Sequence, residues 1–252
     1  MKWRAMAVLA LMAGATVAAT GAGAARAETA RVAIAANFIA PAKVLIAAYD
    51  RASGNDVQAS FGSSGQFLTQ IRNGAPFDAF LSADAARPDS LLKAHLAVSG
   101  SGFTYAVGTL VLWSGDAALP AGEAVLRSGR FAHLAICNPA LAPYGAAAVE
   151  AMRKLGVYDA LEPRLVVGAD VAQAWQFARS GSAELGFVAY SQVKAAGNPG
   201  SVWIVPETLH APIHQDAVLL VHGEGNEAAK GFLAYLKTPA ARTVIARYGY
   251  GK

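Results

Sequence analysis

The chain has 252 residues, 54% of them hydrophobic and 15% charged, with one cysteine, Cys137. One cysteine excludes a disulfide within the chain, so stability has to come from an apolar core. The formal charge of +4 owes much to Lys2, Arg4 and Arg26 at the N-terminus; beyond them basic and acidic residues nearly balance and no Lys/Arg cluster follows, so a nucleic-acid or anionic-membrane partner has no electrostatic footprint.

Lys2 and Arg4 precede an apolar stretch from Ala5 to Ala19, and Ala25-Arg26-Ala27 has the small-x-small form of a cleavage site. The pattern predicts a secretory signal peptide over 1–27, with the mature chain starting near Glu28. A membrane anchor is the rival reading, but the apolar run falls short of the ~20 residues a spanning helix needs. The segment has no cysteine for lipid attachment, which predicts an untethered periplasmic protein.

Short apolar runs then alternate with segments of helical period, the pattern of an α/β protein with mainly parallel strands. "RVAIAA" (31–36) predicts a strand. "APAKVLIAAYDRAS" predicts a helix with Pro41 in its first turn and Val44, Leu45, Ala48 and Tyr49 on one face. "FDAFLSA", "GTLVLWSG" and "FAHLAIC" predict strands, the last containing Cys137. A helix follows Pro143, with Val149, Met152 and Leu155 at helical spacing and Gly156 as its end, and another follows Asp170. "ELGFVAYS", "SVWIVP" and "DAVLLVHG" predict strands, and "NEAAKGFLAYLKTPAARTVIARYGY" two helices broken at Pro239. Strands in this number favour two lobes over one, although periodicity does not locate the division.

Four junctions between a strand and a helix carry the candidate chemistry, because helix N-termini at the carboxyl ends of such strands present free N–H groups. They are "AANFIAP" with Ala36 and Asn37, "FGSSGQF" with Ser63 and Ser64, "NPALAPYGAA" with Tyr144, and "GADVAQA" with Asp170 and Val171. None of the four contains Lys or Arg. Sites for phosphomonoesters and nucleotides usually add such a cation to the helix dipole, whereas neutral donors suit a small, fully deprotonated oxyanion that needs no acceptor.

Each residue also has a plainer reading. Ser64 could be an N-cap, Asn37 could cap the helix near Pro41, and Tyr144 could be a packed aromatic. Asp170 reads as an N-cap whose carboxylate takes N–H groups of its own helix and leaves the Val171 N–H as donor. A nucleophilic Ser64 in an exported hydrolase is a further alternative, but "GSSGQ" lacks the second glycine of the G-x-S-x-G elbow. His210 and His214 in "HAPIH" make a poor metal site because Pro212 argues for extended chain, and "GEGNEAA" makes a poor dinucleotide loop.

With these residues in view, the chain resembles the molybdate-binding proteins of ABC transporters, in the periplasmic type II solute-binding superfamily. The resemblance runs through "AIAANFIAPAKVL", "ASFGSSGQFLTQIRNGAPFDAFLSAD", "NPALAPYGAAAVEAMRKLG" and "AKGFLAYLKTPAARTVIARYGY". It implies a two-lobed α/β fold, each lobe a mostly parallel sheet flanked by helices, with residues 28–107 plus 213–252 in one lobe and 108–212 in the other. It implies a non-enzymatic, monomeric receptor without a cofactor, binding molybdate and also tungstate, and delivering it to a membrane permease and its ATPase. Molybdenum would enter only as the oxyanion, with no protein ligand to the metal. The site residues it implies are Ala36, Asn37, Ser64, Tyr144 and Val171. A receptor for another oxyanion or a small organic anion is the alternative within this class. Some family members supply a tyrosine from the strand that is "LGFVAYS" here; the aligned residue is Ala189, with Tyr190 one place on, which makes Tyr144 the better candidate.

Overall fold

The computed structural model describes residues 27–251, so the segment read as a signal peptide lies almost entirely outside the described residues. Two five-stranded sheets, each flanked by helices, make two lobes. The first lobe contains β1 (Thr29–Ala35), α1 (Ile39–Ser53), β2 (Asp56–Gly62), α2 (Ser64–Arg72), β3 (Ala79–Leu81), α3 (Ala86–Lys93) and β4 (Phe103–Gly108). The second contains β5 (Leu110–Ser114), α4 (Glu123–Ser128), β6 (Leu134–Cys137), α5 (Pro143–Lys154), α6 (Tyr158–Leu161), β7 (Leu165–Gly168), α7 (Val171–Arg179), β8 (Leu185–Ala189), α8 (Tyr190–Ala195) and β9 (Ser201–Ile204). The chain then returns to the first sheet with β10 (Ile213–Leu219) and closes with α9 (Glu227–Leu236) and α10 (Pro239–Arg247).

The strand orders are β2-β1-β3-β10-β4 and β7-β6-β8-β5-β9. In each sheet one strand, β10 or β5, runs against its neighbours, and the others share a direction. The shared direction brings the carboxyl ends of β1, β2 and β3 to one edge of the first lobe and those of β6 and β7 to the facing edge of the second.

Alternation along the strands builds the core. Ala30, Val32 and Ile34 of β1 pack with Leu45, Phe232 and Ile245 on one face, while Ala33 packs with Phe67, Phe80 and Leu91 on the other. Both faces are covered, so β1 reads as an apolar run. The second lobe has one larger cluster, which also takes in Ala35, Ala36, Ala83 and Ile213 from the first, so apolar packing continues across the cleft.

Several elements differ from the sequence reading. The run "ELGFVAYS" ends as a strand at Ala189, and Tyr190 opens α8. The last strand begins at Ile213, earlier than "DAVLLVHG" suggested, and Val221–Gly223 is a 3-10 turn. Strands β4 and β7 and the short helices α3, α4 and α6 were not foreseen; β7, α4 and α6 span only four to six residues, too few for a period to stand out.

Candidate functional site

All five residues singled out in the sequence, Ala36, Asn37, Ser64, Tyr144 and Val171, line one small cavity of about 10 Å³ between the lobes. No lysine or arginine lines it. Helix geometry explains the convergence, because each residue sits in the first turn that follows a strand end.

Ser63, not Ser64, caps α2: its Oγ accepts the Gln66 N–H at 3.3 Å. The capping reading of Ser64 is therefore overturned. Ser64 occupies the first helical position, 1% exposed, and its Oγ accepts the Ala83 N–H at 2.9 Å. A hydroxyl whose lone pair is held this way keeps its hydrogen for another acceptor. Gly65 sends its N–H to Leu141 O at 2.8 Å and Phe67 its own to Ser63 O, so the Ser64 N–H is left without a capping acceptor.

Asp170 caps α7 as expected. Its Oδ1 accepts from Ala172 N at 2.8 Å and Gln173 N at 3.0 Å, which leaves the Val171 N–H as the donor at that helix start. In α5, Gly145 and Ala146 both donate to Ala142 O, and Pro143 has no N–H. The Tyr144 N–H is what remains of that first turn. Ala36 and Asn37 open a 3-10 turn, Ala36–Phe38, whose first N–H groups have no acceptor within it.

Asn37 caps nothing, since α1 starts at Ile39 and its N-cap, Phe38, makes no side-chain cap. The amide is buried: Nδ2 donates to Gln215 Oε1 at 2.8 Å and to Tyr250 Oη at 2.9 Å. Tyr144 is 2% exposed, and Gln215 Nε2 lies 3.1 Å from its Oη. Burial, then the neighbouring Tyr250 phenol, holds the Tyr144 hydroxyl well above the ordinary tyrosine pKa, so it stays a neutral group near any anion.

Gln215, Tyr250, Tyr105 and Ser191 went unnoticed in the sequence, although they form the buried layer behind the site. One signal was available for Gln215. It shares the buried parity of β10 with Ile213 and Ala217, where a polar side chain is out of place. The terminal "RYGYGK" offers no comparable signal for Tyr250.

The loop before α5 is tied to the first lobe beside the cavity by Gly65 N–H to Leu141 O and by Arg87 Nη2 to Ala140 O at 3.0 Å, and Gln215 to Tyr144 and Ser191 to Asn37 also join the lobes. Arg87 also pairs with Asp84, so its charge is matched outside the cavity. A larger recess of about 230 Å³ adjoins the site between α1, α7 and α8, with Trp175 and Arg179 among its residues. It shares Ala36 and Asn37 with the smaller cavity but receives only some of the helix starts, so the smaller cavity is the candidate site.

His214 lies exposed in β10 while His210 is buried with Nδ1 2.8 Å from Ala211 O, and no group of three or more metal-ligating side chains occurs among the described residues. Ala189 is buried and the Tyr190 ring lies under Lys194; neither lines the cavity.

Residues 30–251 match the family model of bacterial extracellular solute-binding proteins. The chain belongs to that family. It is 53% identical over 218 residues to the molybdate-binding protein ModA of Rhodobacter capsulatus, covering 86% of each chain. Its identity to ModA of Azotobacter vinelandii is 50% over 242 residues, covering 93% of this chain and 96% of the relative. Among solved structures it resembles a periplasmic molybdate-binding protein of Azotobacter vinelandii, with a TM-score of 0.85 and 38% identity over 88% of this chain and 99% of the other. Solute-binding proteins are transport components and not enzymes, which removes the hydrolase reading of Ser64. No helix among the described residues is long and apolar enough to cross a membrane.

Proposed function

We infer that this chain is the periplasmic receptor of an ABC importer, capturing molybdate between its lobes. The observation that carries the reading is the convergence of four helix starts, with neutral donors only, on one small cavity. A fully deprotonated tetrahedral oxyanion needs many donors and no acceptor, and this is the set that the first turns of α2, α5, α7 and the Ala36–Phe38 turn provide. Hydrogen bonds to a charged group contribute ~1.5–3 kcal/mol each. Roughly six of them give a gross gain near 10 kcal/mol or more, enough for micromolar or tighter binding after desolvation and closure.

Ala36, Asn37, Ser64, Tyr144 and Val171 hold the anion in this reading, through oxygen contacts alone and without a cofactor. The lobes that close about it are residues 28–107 with 213–252, and residues 108–212. The relatives named for molybdate at 50% identity and above support the choice of ligand. Tungstate, a tetrahedral dianion of nearly equal size, fits the same cradle; sulfate, with shorter bonds to oxygen, reaches fewer donors at once. The receptor acts as a monomer and presents its closed form to a permease driven by an ATPase.

The test is isothermal titration calorimetry of the mature protein, stripped of ligand, against molybdate, tungstate, sulfate and phosphate. Tight one-to-one binding of the first two with little heat from the others supports the reading. Silence toward molybdate and tungstate would sink it and move the search to other anions.

A further inference from the structure

Asn37 is 2% exposed, and its Oδ1 is a buried side-chain atom with no hydrogen-bond partner. The Nδ2 side of the amide faces Gln215 and Tyr250, which do not line the cavity, whereas Asn37 does. Oδ1 is thus the half of the amide on the cavity side. An acceptor there would repel an oxyanion. At the same time Tyr144 Oη receives the Gln215 Nε2 hydrogen, and its own hydrogen has no acceptor.

The oxygen and nitrogen of an amide occupy equivalent positions, so the same heavy atoms hold a second arrangement with both amides turned. Gln215 Nε2 then donates to Asn37 Oδ1 across the 2.8 Å contact and to Tyr105 Oη across 3.0 Å. Tyr105 gives its hydrogen to Ser82 O at 3.0 Å, and Tyr144 gives its own to Gln215 Oε1 across 3.1 Å. Tyr250 donates to Asn37 Oδ1 across 2.9 Å and Ser191 to Asn37 O at 2.7 Å. Every one of these hydroxyls now has an acceptor. What is left over is Asn37 Nδ2, a donor, on the cavity side.

We propose that Gln215 is a positioning residue of the oxyanion site: by donating to Asn37 Oδ1 and accepting the Tyr144 hydroxyl, it turns the Asn37 N–H groups toward the anion. The inference rests on the oxyanion-receptor reading and deepens it. Tyr144 then serves the anion through its backbone N–H, and its hydroxyl serves Gln215. The register shift between Gln215 and Asp216 in β10 fits this role, since such bulges re-aim side chains beside functional sites. Gly108 fits it too, because a methyl there would run into Tyr144 Oη and Gln215 Nε2.

The titratable groups facing position 215 are Tyr105 from β4, Tyr144 from α5 and Tyr250 from the C-terminal segment, with Asp84 and Asp216 the nearest charges to Tyr105. All three phenols are buried and titrate above the ordinary tyrosine range. The wild-type network therefore keeps one protonation state between about pH 6 and 8.

The experiment is molybdate calorimetry of wild type and Gln215→Glu across that range. The ionised carboxylate of the variant only accepts, so Asn37 must turn Nδ2 toward it and Oδ1 toward the anion, and affinity at pH 8 falls by at least about tenfold. A buried carboxyl gains its proton as pH falls, and the neutral acid again has one donor and one acceptor. Affinity of the variant then recovers severalfold toward pH 6 while that of wild type stays level. A loss that does not change with pH, or no loss at all, would overturn the proposal. Should the variant not fold, side-chain amide NMR of the wild-type protein decides: adding molybdate must shift the Asn37 NH₂ signals more than those of Gln215, and unmoved Asn37 signals count against it. Wild type that binds no molybdate would bring down the receptor reading as well, whereas binding wild type with a pH-independent variant brings down this inference alone.

Discussion

Gly65→Ala should separate binding from folding. Gly65 sits in the first turn of α2, and a Cβ built there would lie 2.9 Å from both Leu141 Cα and Leu141 O, across the cleft. Ordinary contact begins near 3.4 Å, so the loop before α5 would have to retreat by about half an ångström. The Gly65 N–H to Leu141 O bond, now 2.8 Å, would stretch past the normal range. Losing it costs ~0.5–1.5 kcal/mol, and forcing a methyl into a packed contact typically costs ~1–3 kcal/mol. Both penalties fall on the closed form alone. The sum, about 1.5–4.5 kcal/mol, corresponds to a loss of roughly 10- to 2,000-fold in oxyanion affinity. The open form meets no such clash, and alanine is the better helix former by up to ~1 kcal/mol. Calorimetric titration with molybdate should therefore show weakened binding while the melting temperature of the stripped protein is unchanged or higher. Wild-type affinity in this variant would refute the assignment of the Gly65–Leu141 contact to lobe closure.

Ser64→Ala removes a hydroxyl donor and leaves the Ala83 N–H without its acceptor; titration should show affinity lower by ~1–3 kcal/mol, about 5- to 150-fold, in a protein that still folds. Cys137 is fully buried in β6 and burial pushes its thiol up to about 12, so a thiol reagent at pH 8 should leave the native protein unlabelled and react once denaturant is added. Glu150 is held below the usual carboxylate range first by the Ala211 N–H at 3.0 Å and then by Lys154. A depressed folded-state pKa contributes stability above the unfolded value and loses it as pH falls through the folded one. The melting temperature of Glu150→Gln should therefore lie below wild type at neutral pH and meet it in acid.

The cradle was legible because its parts are local. A serine, a tyrosine after proline and an Asp-Val pair each announce a helix start, and a helix start always has spare N–H groups. The same locality explains the correction at Ser63 and Ser64: two adjacent serines both satisfy the sequence rule for a cap, and only the backbone at Ser63, extended at ψ 145, shows which one takes the Gln66 N–H. The Asn37–Gln215–Tyr144–Tyr250 layer was invisible for the opposite reason. Asn37 and Tyr250 stand 213 residues apart in sequence, and their hydrogen bond exists because the chain crosses to the second lobe and comes back.

Periodicity and the chemistry of a few neighbouring residues were enough to settle the class of fold, the helix starts and the absence of cations at them. The packing of the lobes settled the rest: that four such starts meet in one cavity, that Gly65 must lack a side chain to let Leu141 approach, and which buried groups fix the direction of each hydrogen bond around the site. The first two are contacts between the lobes, and the third joins residues as far apart as Asn37 and Gln215, 178 positions along the chain; no single stretch of chain encodes a contact whose partner lies so far away.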